Sequence, residues 1–276
     1  MPKKLSQAQV EAYRTQGYLC PVPGIGRDEA ARFRGCLEAF EAERGTTLGQ
    51  IPGAMRAKTH LLFTWMAELV RHAAILDAVE DLIGPDILLF HLTCWLKEPG
   101  DGAVVPWHQD ATYFALEPFE HVTAWVGLTD STIENGCVRV LPGSHDEGQQ
   151  AHVQDSVENN LLSRGQSIPD DYDTSNAVAL TMAAGEFSLH HTHLIHRSEP
   201  NRTAERRIGI GISYVPARVR HLGPQRLSAS LVRGEDRFGH FEPEPRPSRD
   251  LDPALVARHA DYMGRFFQID SAPTAA

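Results

Sequence analysis

Two short sequences place an aspartate two residues after a histidine, at His108–Asp110 and at His259–Asp261. With 14 histidines in 276 residues, about one such pair is expected by chance, so the spacing alone is a weak signal. The pair at His259–Asp261 lies in a helical pattern, where residues two apart point to different faces and cannot easily coordinate the same metal ion. The pair at His108–Asp110 follows a glycine-rich turn and enters a β-type region, where residues i and i+2 project to the same side. His108 and Asp110 are therefore predicted to be two ligands of a metal site.

A third ligand has to come from a neighbouring strand, and the cluster of four histidines in SLHHTHLIHRSEPN is the obvious donor. Two neutral imidazoles and one carboxylate form the facial triad of non-haem Fe(II) oxygenases, which leaves three coordination positions of the metal open. His191, His193 and His196 compete for the role of third ligand. The alternative interpretation is that these histidines are ordinary hydrogen-bonding side chains of the core or surface.

A pair of arginines, Arg206 and Arg207, follows the histidine cluster and leads into the apolar run IGIGISYV. A planar guanidinium matches a carboxylate with two parallel hydrogen bonds, so a buried arginine at this place suits the far end of a dicarboxylate. Ser198 offers a hydroxyl to the same ligand. A solvated strand end is the alternative explanation for the two arginines.

The elements that position these residues change in character along the chain. Helical spacing predicts two N-terminal helices, capped by Ser6 and Asp28, and a third helix from roughly Trp65 to Ile83. After Pro85, short apolar runs between Gly and Pro turns predict strands, namely ILLFHLTCWLKE, VTAWVGL, VRVL, AVAL, EFSLHH and IGIGISYVP. Consecutive strands without intervening helices favour an antiparallel sandwich or barrel. The last predicted helix is PALVARHADYMGRFF.

We predict a single domain over residues 1–276, mainly β with flanking helices, which is an α+β class. The N-terminal helices cover about 1–84, the core covers about 85–220, and a C-terminal segment with its helix covers 221–276. The polar segment Asp146–Ala177 is long for a loop in a compact domain, and such a loop is usually functional, for example as a lid.

The composition narrows the classes of function. A formal net charge of −10 argues against a general role on nucleic acid, which needs a basic face. Apolar runs are too short to span a bilayer, and no apolar segment follows the first lysines as a secretory signal requires. The cysteines lack C-x-x-C spacing and favour reduced thiols: Cys20, Cys36, Cys94 and Cys137. We expect a cytoplasmic protein that acts on a small molecule, without nucleic-acid or membrane partners and of unknown oligomeric state.

Three blocks of sequence resemble the phytanoyl-CoA dioxygenase family of Fe(II)/2-oxoglutarate oxygenases. They are WHQDATYF, TAWVGLTDSTIENGCVRVLPGSH and LIHRSEPNRTAERR, within a similarity that spans about Tyr18 to Pro216. The resemblance implies a double-stranded β-helix, a cupin-like jelly roll with flanking helices. It implies iron ligands at His108, Asp110 and His196. It also implies contacts to 2-oxoglutarate from Arg207, Ser198, Trp125 and Lys58, with Arg206 as an alternative to Arg207.

The activity implied by this resemblance uses Fe(II), 2-oxoglutarate and O2, and releases succinate and CO2 while a small molecule is hydroxylated. Asp110 favours hydroxylation over halogenation, because related halogenases have a small residue in place of this carboxylate. Two alternatives are a jelly-roll protein that binds a metal or ligand without turnover and a cupin-type metal isomerase. For the substrate, a small free metabolite such as an amino acid derivative, a phosphonate or a natural-product intermediate is favoured over an acyl-CoA.

Overall fold

The structure is a computed structural model, and it describes residues 2–51, 53–154, 158–169 and 172–268 of the chain. The helices in these ranges are α1 (Gln7–Gln16), α2 (Arg27–Arg44), α3 (Thr64–Leu69), α4 (Ala73–Ile83), α5 (Ala111–Phe114) and α6 (Pro253–Phe267). The strands are β1 (Tyr18–Val22), β2 (Ile87–Lys97), β3 (Val105–His108), β4 (Leu116–Glu117), β5 (Val122–Gly127), β6 (Val138–Val140), β7 (Val153–Gln154), β8 (Gln166–Ser167), β9 (Val178–Ala179), β10 (Phe187–His191), β11 (His196–Ser198), β12 (Arg207–Pro216), β13 (Arg220–His221), β14 (Ser228–Arg233) and β15 (Glu242–Pro243).

The ends of α1 follow local capping chemistry, but the cap predicted at Asp28 is wrong, because α2 begins at Arg27 and Asp28 lies in its first turn. Ser6 forms a capping box at the start of α1, and Gly17 ends that helix in the left-handed conformation, as the sequence predicts. The prediction of a single third helix is wrong, because the helix is interrupted between the end of α3 and the start of α4. His72 accepts a hydrogen bond from the Ala74 amide as a new N-cap at this break. No helix in the described ranges is long and apolar enough to cross a membrane.

Two sheets form the core of the fold, and their strands are antiparallel except for the parallel pair β14–β15. The larger sheet has the strand order β1-β10-β5-β12-β2-β14-β15, and the smaller one has the order β3-β11-β6-β9. The six strands predicted from apolar runs are confirmed with small differences at their ends. Short strands, including β3 and β11, were not predicted, because three or four residues carry too little pattern to recognise.

Alternation along β12 explains how the larger sheet serves both a core and a cavity. Ile208, Ile210 and Ile212 are buried in the cluster that the N-terminal helices cover. Gly209 and Gly211 face the other way, where tryptophan rings lie against the sheet. A Cβ on Gly209 would stand 1.9 Å from the Trp125 ring, and a Cβ on Gly211 would stand 2.7 Å from the Trp95 ring. The glycines therefore make room for aromatic side chains between the two sheets.

A buried charged cluster ties the C-terminal segment to the N-terminal region. The Glu244 carboxylate forms an ion pair with Lys58 and accepts a hydrogen bond from His60 at 3.0 Å. Ser228 and Ser230 of β14 each donate to the same carboxylate at 2.7 Å. Because the carboxylate is fully buried, each of these donors replaces a lost contact with water.

Replacing Glu244 by Gln is expected to destabilise the protein, because it leaves the buried Lys58 cation opposite a neutral group. The expected loss is about 3–5 kcal/mol in the free energy of unfolding, measured by urea unfolding at pH 7. Glu235→Gln is the matched control, since Glu235 pairs with Arg237 on the surface and both side chains are mostly exposed. Equal effects of the two substitutions would contradict the role given to the buried cluster.

The loss of stability caused by Glu244→Gln is expected to depend on pH. Burial alone would raise the pKa of Glu244, but Lys58 and His60 outweigh it and hold the pKa well below its usual range. Such a carboxylate stabilises the fold above the pKa of unfolded glutamate, about 4.3, and loses this contribution as the pH falls. The stability difference between wild type and Glu244→Gln is therefore expected to shrink when urea unfolding is repeated below pH 4.3.

Candidate functional site

Pairing between β3 and β11 brings two histidines together. In this antiparallel pair His108 lies directly opposite His196. Their ring centroids are 4.1 Å apart, although 88 positions separate the two residues in the sequence (196 minus 108). Directly opposed residues on antiparallel strands share one face, so both imidazoles point to the same side of the smaller sheet.

Asp110 reaches this point by a route that the sequence analysis did not predict. The strand β3 ends at His108, and Asp110 has the helical backbone angles φ −59° and ψ −34° just before α5. The predicted same-face spacing on one strand is therefore wrong for Asp110. The turn still brings the carboxylate Oδ1 to 3.6 Å from His108 Nε2 and 3.7 Å from His196 Nε2. The three ligand atoms all lie within 4.8 Å of one another.

Backbone contacts orient both imidazoles for metal binding. His108 donates from Nδ1 to the Pro106 carbonyl at 3.0 Å, and His196 donates from Nδ1 to the Leu194 carbonyl at 2.9 Å. Each bond fixes the tautomer with the proton on Nδ1, which leaves the Nε2 lone pair directed at the cluster. Two Nε2 atoms and one carboxylate oxygen are a donor set that fits a divalent metal such as Fe(II).

The protonation states of His196 and Asp110 also suit metal binding. Burial lowers the pKa of His196 well below its usual value, so the ring is neutral at pH 7. Burial opposes ionisation of Asp110, but its close contacts with the His108 and His190 imidazoles outweigh it and hold the pKa of the carboxyl well below its usual range. A neutral imidazole and an ionised carboxylate are the forms that bind a metal ion.

A chain of hydrogen bonds holds the Asp110 carboxylate from behind. Thr123 donates its hydroxyl to Asp110 Oδ2 at 2.7 Å, and its oxygen accepts from His121 Nε2 at 3.1 Å. The other nitrogen of His121 accepts from the Thr192 hydroxyl at 2.9 Å. These residues were not predicted from the sequence, because no motif joins positions that come from three separate segments.

His190 is a further residue of the site that the sequence analysis missed. It lines the cavity between the sheets, and its Nε2 lies 3.5 Å from Asp110 Oδ2. His191 points to the opposite side of β10, where its ring contacts His145 at a centroid distance of 5.3 Å. Phe187 and Leu189 pack into the helix-covered core, so strand alternation was the signal that His190, not His191, faces the cavity.

The cavity runs between the two sheets and has an arginine in its wall. Arg207 is fully buried, donates from Nη1 to the Gly136 carbonyl at 2.7 Å, and lies 5.1 Å from the centre of the Trp125 ring. Ser198 lines the same part of the cavity. Within the described ranges, Arg207 has no carboxylate partner. Arg206 points away from the cavity and forms ion pairs with Glu41 and Glu98, which removes it as an alternative to Arg207.

The sequence profile of the phytanoyl-CoA dioxygenase (PhyH) family matches residues 13–209, well over half of the chain. The chain belongs to the phytanoyl-CoA dioxygenase family. Among solved structures, a non-heme monooxygenase, ThoJ in its apo form, is 33% identical with a TM-score of 0.82, and the alignment covers 94% of this chain and 96% of that one. CytC3 with Fe(II) and alpha-ketoglutarate is 21% identical with a TM-score of 0.65, covering 89% of this chain and 100% of that one, which supports the jelly-roll fold alone.

Curated family members match over shorter regions. A probable alpha-ketoglutarate-dependent hypophosphite dioxygenase of Stutzerimonas stutzeri is 31% identical over 160 residues, which is 57% of this chain and 55% of the relative. The peroxisomal phytanoyl-CoA dioxygenase of Homo sapiens is 29% identical over 175 residues, covering 61% of this chain and 52% of the relative. The chain thus spans about half the length of the curated relatives it matches.

Lys58 does not lie where the family resemblance implied. It is absent from the side chains that line the cavity in the described structure, and its Nζ donates to the Ser228 carbonyl at 2.8 Å and pairs with Glu244. The expected contact between Lys58 and 2-oxoglutarate is therefore a wrong prediction. The physical reason is that Glu244 supplies a buried counter-charge outside the cavity, and this holds the ammonium there.

The His259–Asp261 pair is no metal site in this member of the family. His259 is buried in α6 and donates from Nε2 to the Ala57 carbonyl at 2.8 Å, while Asp261 pairs with Arg265. The long polar segment contains the hairpin of β7 and β8, and its residues 155–157 and 170–171 lie outside the described ranges. Leu161, Leu162 and Ser163 of this segment line the cavity, which is what a covering loop would do.

Metal binding separates the two H-x-D pairs experimentally. Asp110→Asn is expected to lower the affinity for Fe(II) or Co(II) by more than about 100-fold, because it removes the anionic ligand. Asp261→Asn is expected to leave the affinity unchanged. Anaerobic calorimetry with each metal makes this measurement, and equal affinities for the two variants would contradict the assignment of the centre.

The hydrogen bond from Thr123 to the Asp110 carboxylate can be tested by the same calorimetric measurement of metal affinity. Thr123→Val keeps the shape of the side chain but leaves Asp110 Oδ2 without its donor. A loss of about 10-fold in metal affinity is expected. The melting temperature of the metal-free protein is expected to fall as well, because buried His121 loses the Thr123 oxygen as its acceptor. Thr203→Val is the control, because the Thr203 hydroxyl donates to Asn201 and to the Glu205 carbonyl, outside the cavity. A Thr123→Val affinity equal to that of wild type would show that the carboxylate needs no such support.

Proposed function

We propose that the protein is an Fe(II)- and 2-oxoglutarate-dependent dioxygenase that hydroxylates a small molecule and releases succinate and CO2. The observation that carries the proposal is that His108, Asp110 and His196 converge on a cavity that also contains an arginine, which pairs with no carboxylate among the described residues. Metal ligands together with a carboxylate-binding group are what a metal-chelating dicarboxylate requires. The names of the relatives above agree with this chemistry.

In this proposal Arg207 binds the distal carboxylate of 2-oxoglutarate, and Ser198 and Trp125 complete that end of the cavity. Burial lowers the pKa of Arg207 to about 10, so the guanidinium remains cationic at pH 7. Lys97 lies nearby, but burial lowers its pKa to about 6 and its amine donates to the Ser198 carbonyl at 3.1 Å. Arg207 therefore supplies the positive charge at this end of the cavity.

Bound Fe(II) would supply the activation of O2 that is coupled to decarboxylation of 2-oxoglutarate. The residues of the chain do the positioning. His108, Asp110 and His196 would hold the metal, and their ligand atoms line the cavity in which the co-substrate would bind. Thr123 holds the Asp110 carboxylate, and the buried aromatic walls of the cavity keep bulk water away from the three ligand residues.

The affinity for 2-oxoglutarate tests the assignment of Arg207. Arg207→Gln is expected to raise the Kd for 2-oxoglutarate on the order of 100-fold, because one charge-assisted contact with two parallel hydrogen bonds is lost. The measurement is an anaerobic titration of the Fe(II)-loaded protein, followed by succinate formation once O2 is admitted. The affinity for the metal alone is expected to stay unchanged.

Arg206→Gln is the matched control, since this neighbouring arginine pairs with Glu41 and Glu98 outside the cavity. It is expected to lower the melting temperature without changing the Kd for 2-oxoglutarate. A wild-type protein that binds Fe(II) but forms no succinate from 2-oxoglutarate would instead indicate metal binding without this reaction.

A further inference from the structure

The cavity continues past the metal centre into a second space, here called the outer chamber. Its walls are Arg56, Tyr113, Phe114, Leu162, Phe266 and Phe267, and it shares the side chains of His108 and Asp110 with the part that contains Arg207. Its empty volume is about 620 Å³ including the open mouth, a size that suits a small organic molecule. A molecule in this chamber would lie directly against the metal ligands.

Most of the chamber wall is apolar and aromatic. Phe266 of α6 stacks on the His91 ring at a centroid distance of 4.3 Å, and Phe114 packs edge-on against Phe90. Burial lowers the pKa of His91 well below its usual value, so this ring is neutral at pH 7. Among the described lining residues, Asp110 is the acid, and it belongs to the metal centre.

Arg56 is the exception in this wall. Within the described ranges its side chain makes no hydrogen bond or ion pair, unlike Arg206 and Arg233, which each bind two carboxylates. Burial lowers the pKa of Arg56, but an arginine remains charged in proteins. A partly buried cation without a counter-ion is costly, and an anionic ligand in the chamber would remove that cost.

The backbone that carries Arg56 is held firmly. Ala57 forms a bridge to Thr93 of β2, and the Lys58 amide donates to the Leu92 carbonyl at 2.8 Å. His259 of α6 donates to the Ala57 carbonyl at 2.8 Å. Arg56 is thus presented to the chamber from an anchored segment, which favours binding over nonspecific surface charge.

We propose that the outer chamber binds the substrate as an organic oxyanion with an apolar body, with its carboxylate or phosphonate group on Arg56 and its carbon skeleton against the aromatic wall. The proposal rests on the function proposed above and adds the substrate class. Arg207 and Arg56 then bind different anions, because 2-oxoglutarate binds to Arg207 and the substrate binds to Arg56. The carbon that reacts is one that lies between the anionic group and the metal.

The experiment measures binding to the Fe(II)- and 2-oxoglutarate-loaded protein by anaerobic calorimetry. The probes are hexanoate, decanoate and 3-phenylpropionate, each compared with its carboxamide and its phosphonate analogue. Wild type is expected to prefer the anions over the carboxamides. Arg56→Gln is expected to weaken the anions on the order of 10- to 100-fold and to leave the carboxamides unchanged. Arg56→Lys is expected to retain part of the preference for anions. Arg202→Gln is the control, because this arginine is exposed, and it is expected to retain the whole preference.

Two results would overturn the proposal. The first is that wild type binds 2-oxoglutarate but does not prefer the anion over the carboxamide for any probe. Failure of every probe to bind counts as the same result. The other is an Arg56→Gln variant that loses both classes equally or neither. If wild type fails to bind 2-oxoglutarate, the proposed function is wrong, and the same comparison on the metal-loaded protein still decides the role of Arg56.

Discussion

The register between β3 and β11 is the constraint on which the site depends. It sets His108 opposite His196, and both rings then face the cavity. Because side chains alternate along a strand, a slip of one residue would turn one of the two histidines to the opposite side. β6 pairs with the other edge of β11 and sets Val140 opposite His196, so the strand is held from both sides. Two short strands thus acquire a defined register from their neighbours.

The larger sheet supplies the opposite wall by the same alternation. On β5 the apolar Ala124 and Val126 pack under the helices, while Thr123 and Trp125 face the cavity. One face of each strand stabilises the fold, and the other carries the polar groups of the site. Substitutions on the helix-covered face therefore act on stability, and those on the cavity face act on binding.

The sequence predicted the large features and failed where contacts are nonlocal. Long apolar strands such as β12 and the capped helix α1 follow from local pattern. His196 was one of three candidate histidines, and only the family resemblance singled it out as the partner of His108. Asp110 is in the site, but from a helical turn that no spacing rule predicts. Lys58 was misplaced because its partner Glu244 lies 186 positions away in the sequence. A single charged residue does not reveal which distant counter-charge it meets.

The arrangement of charge in the cavity follows from what the site has to hold. Two neutral imidazoles and one carboxylate would leave a divalent metal with a net positive charge, and Arg207 and Arg56 add a cation on either side of it. A cavity with such an excess of positive charge is best completed by two anions, one on each side of the metal. Asp110, as the acid shared by both parts of the cavity, then belongs to the metal, and each arginine remains available to its own ligand. Under the proposed function, this charge distribution would place the co-substrate on Arg207 and the substrate on Arg56.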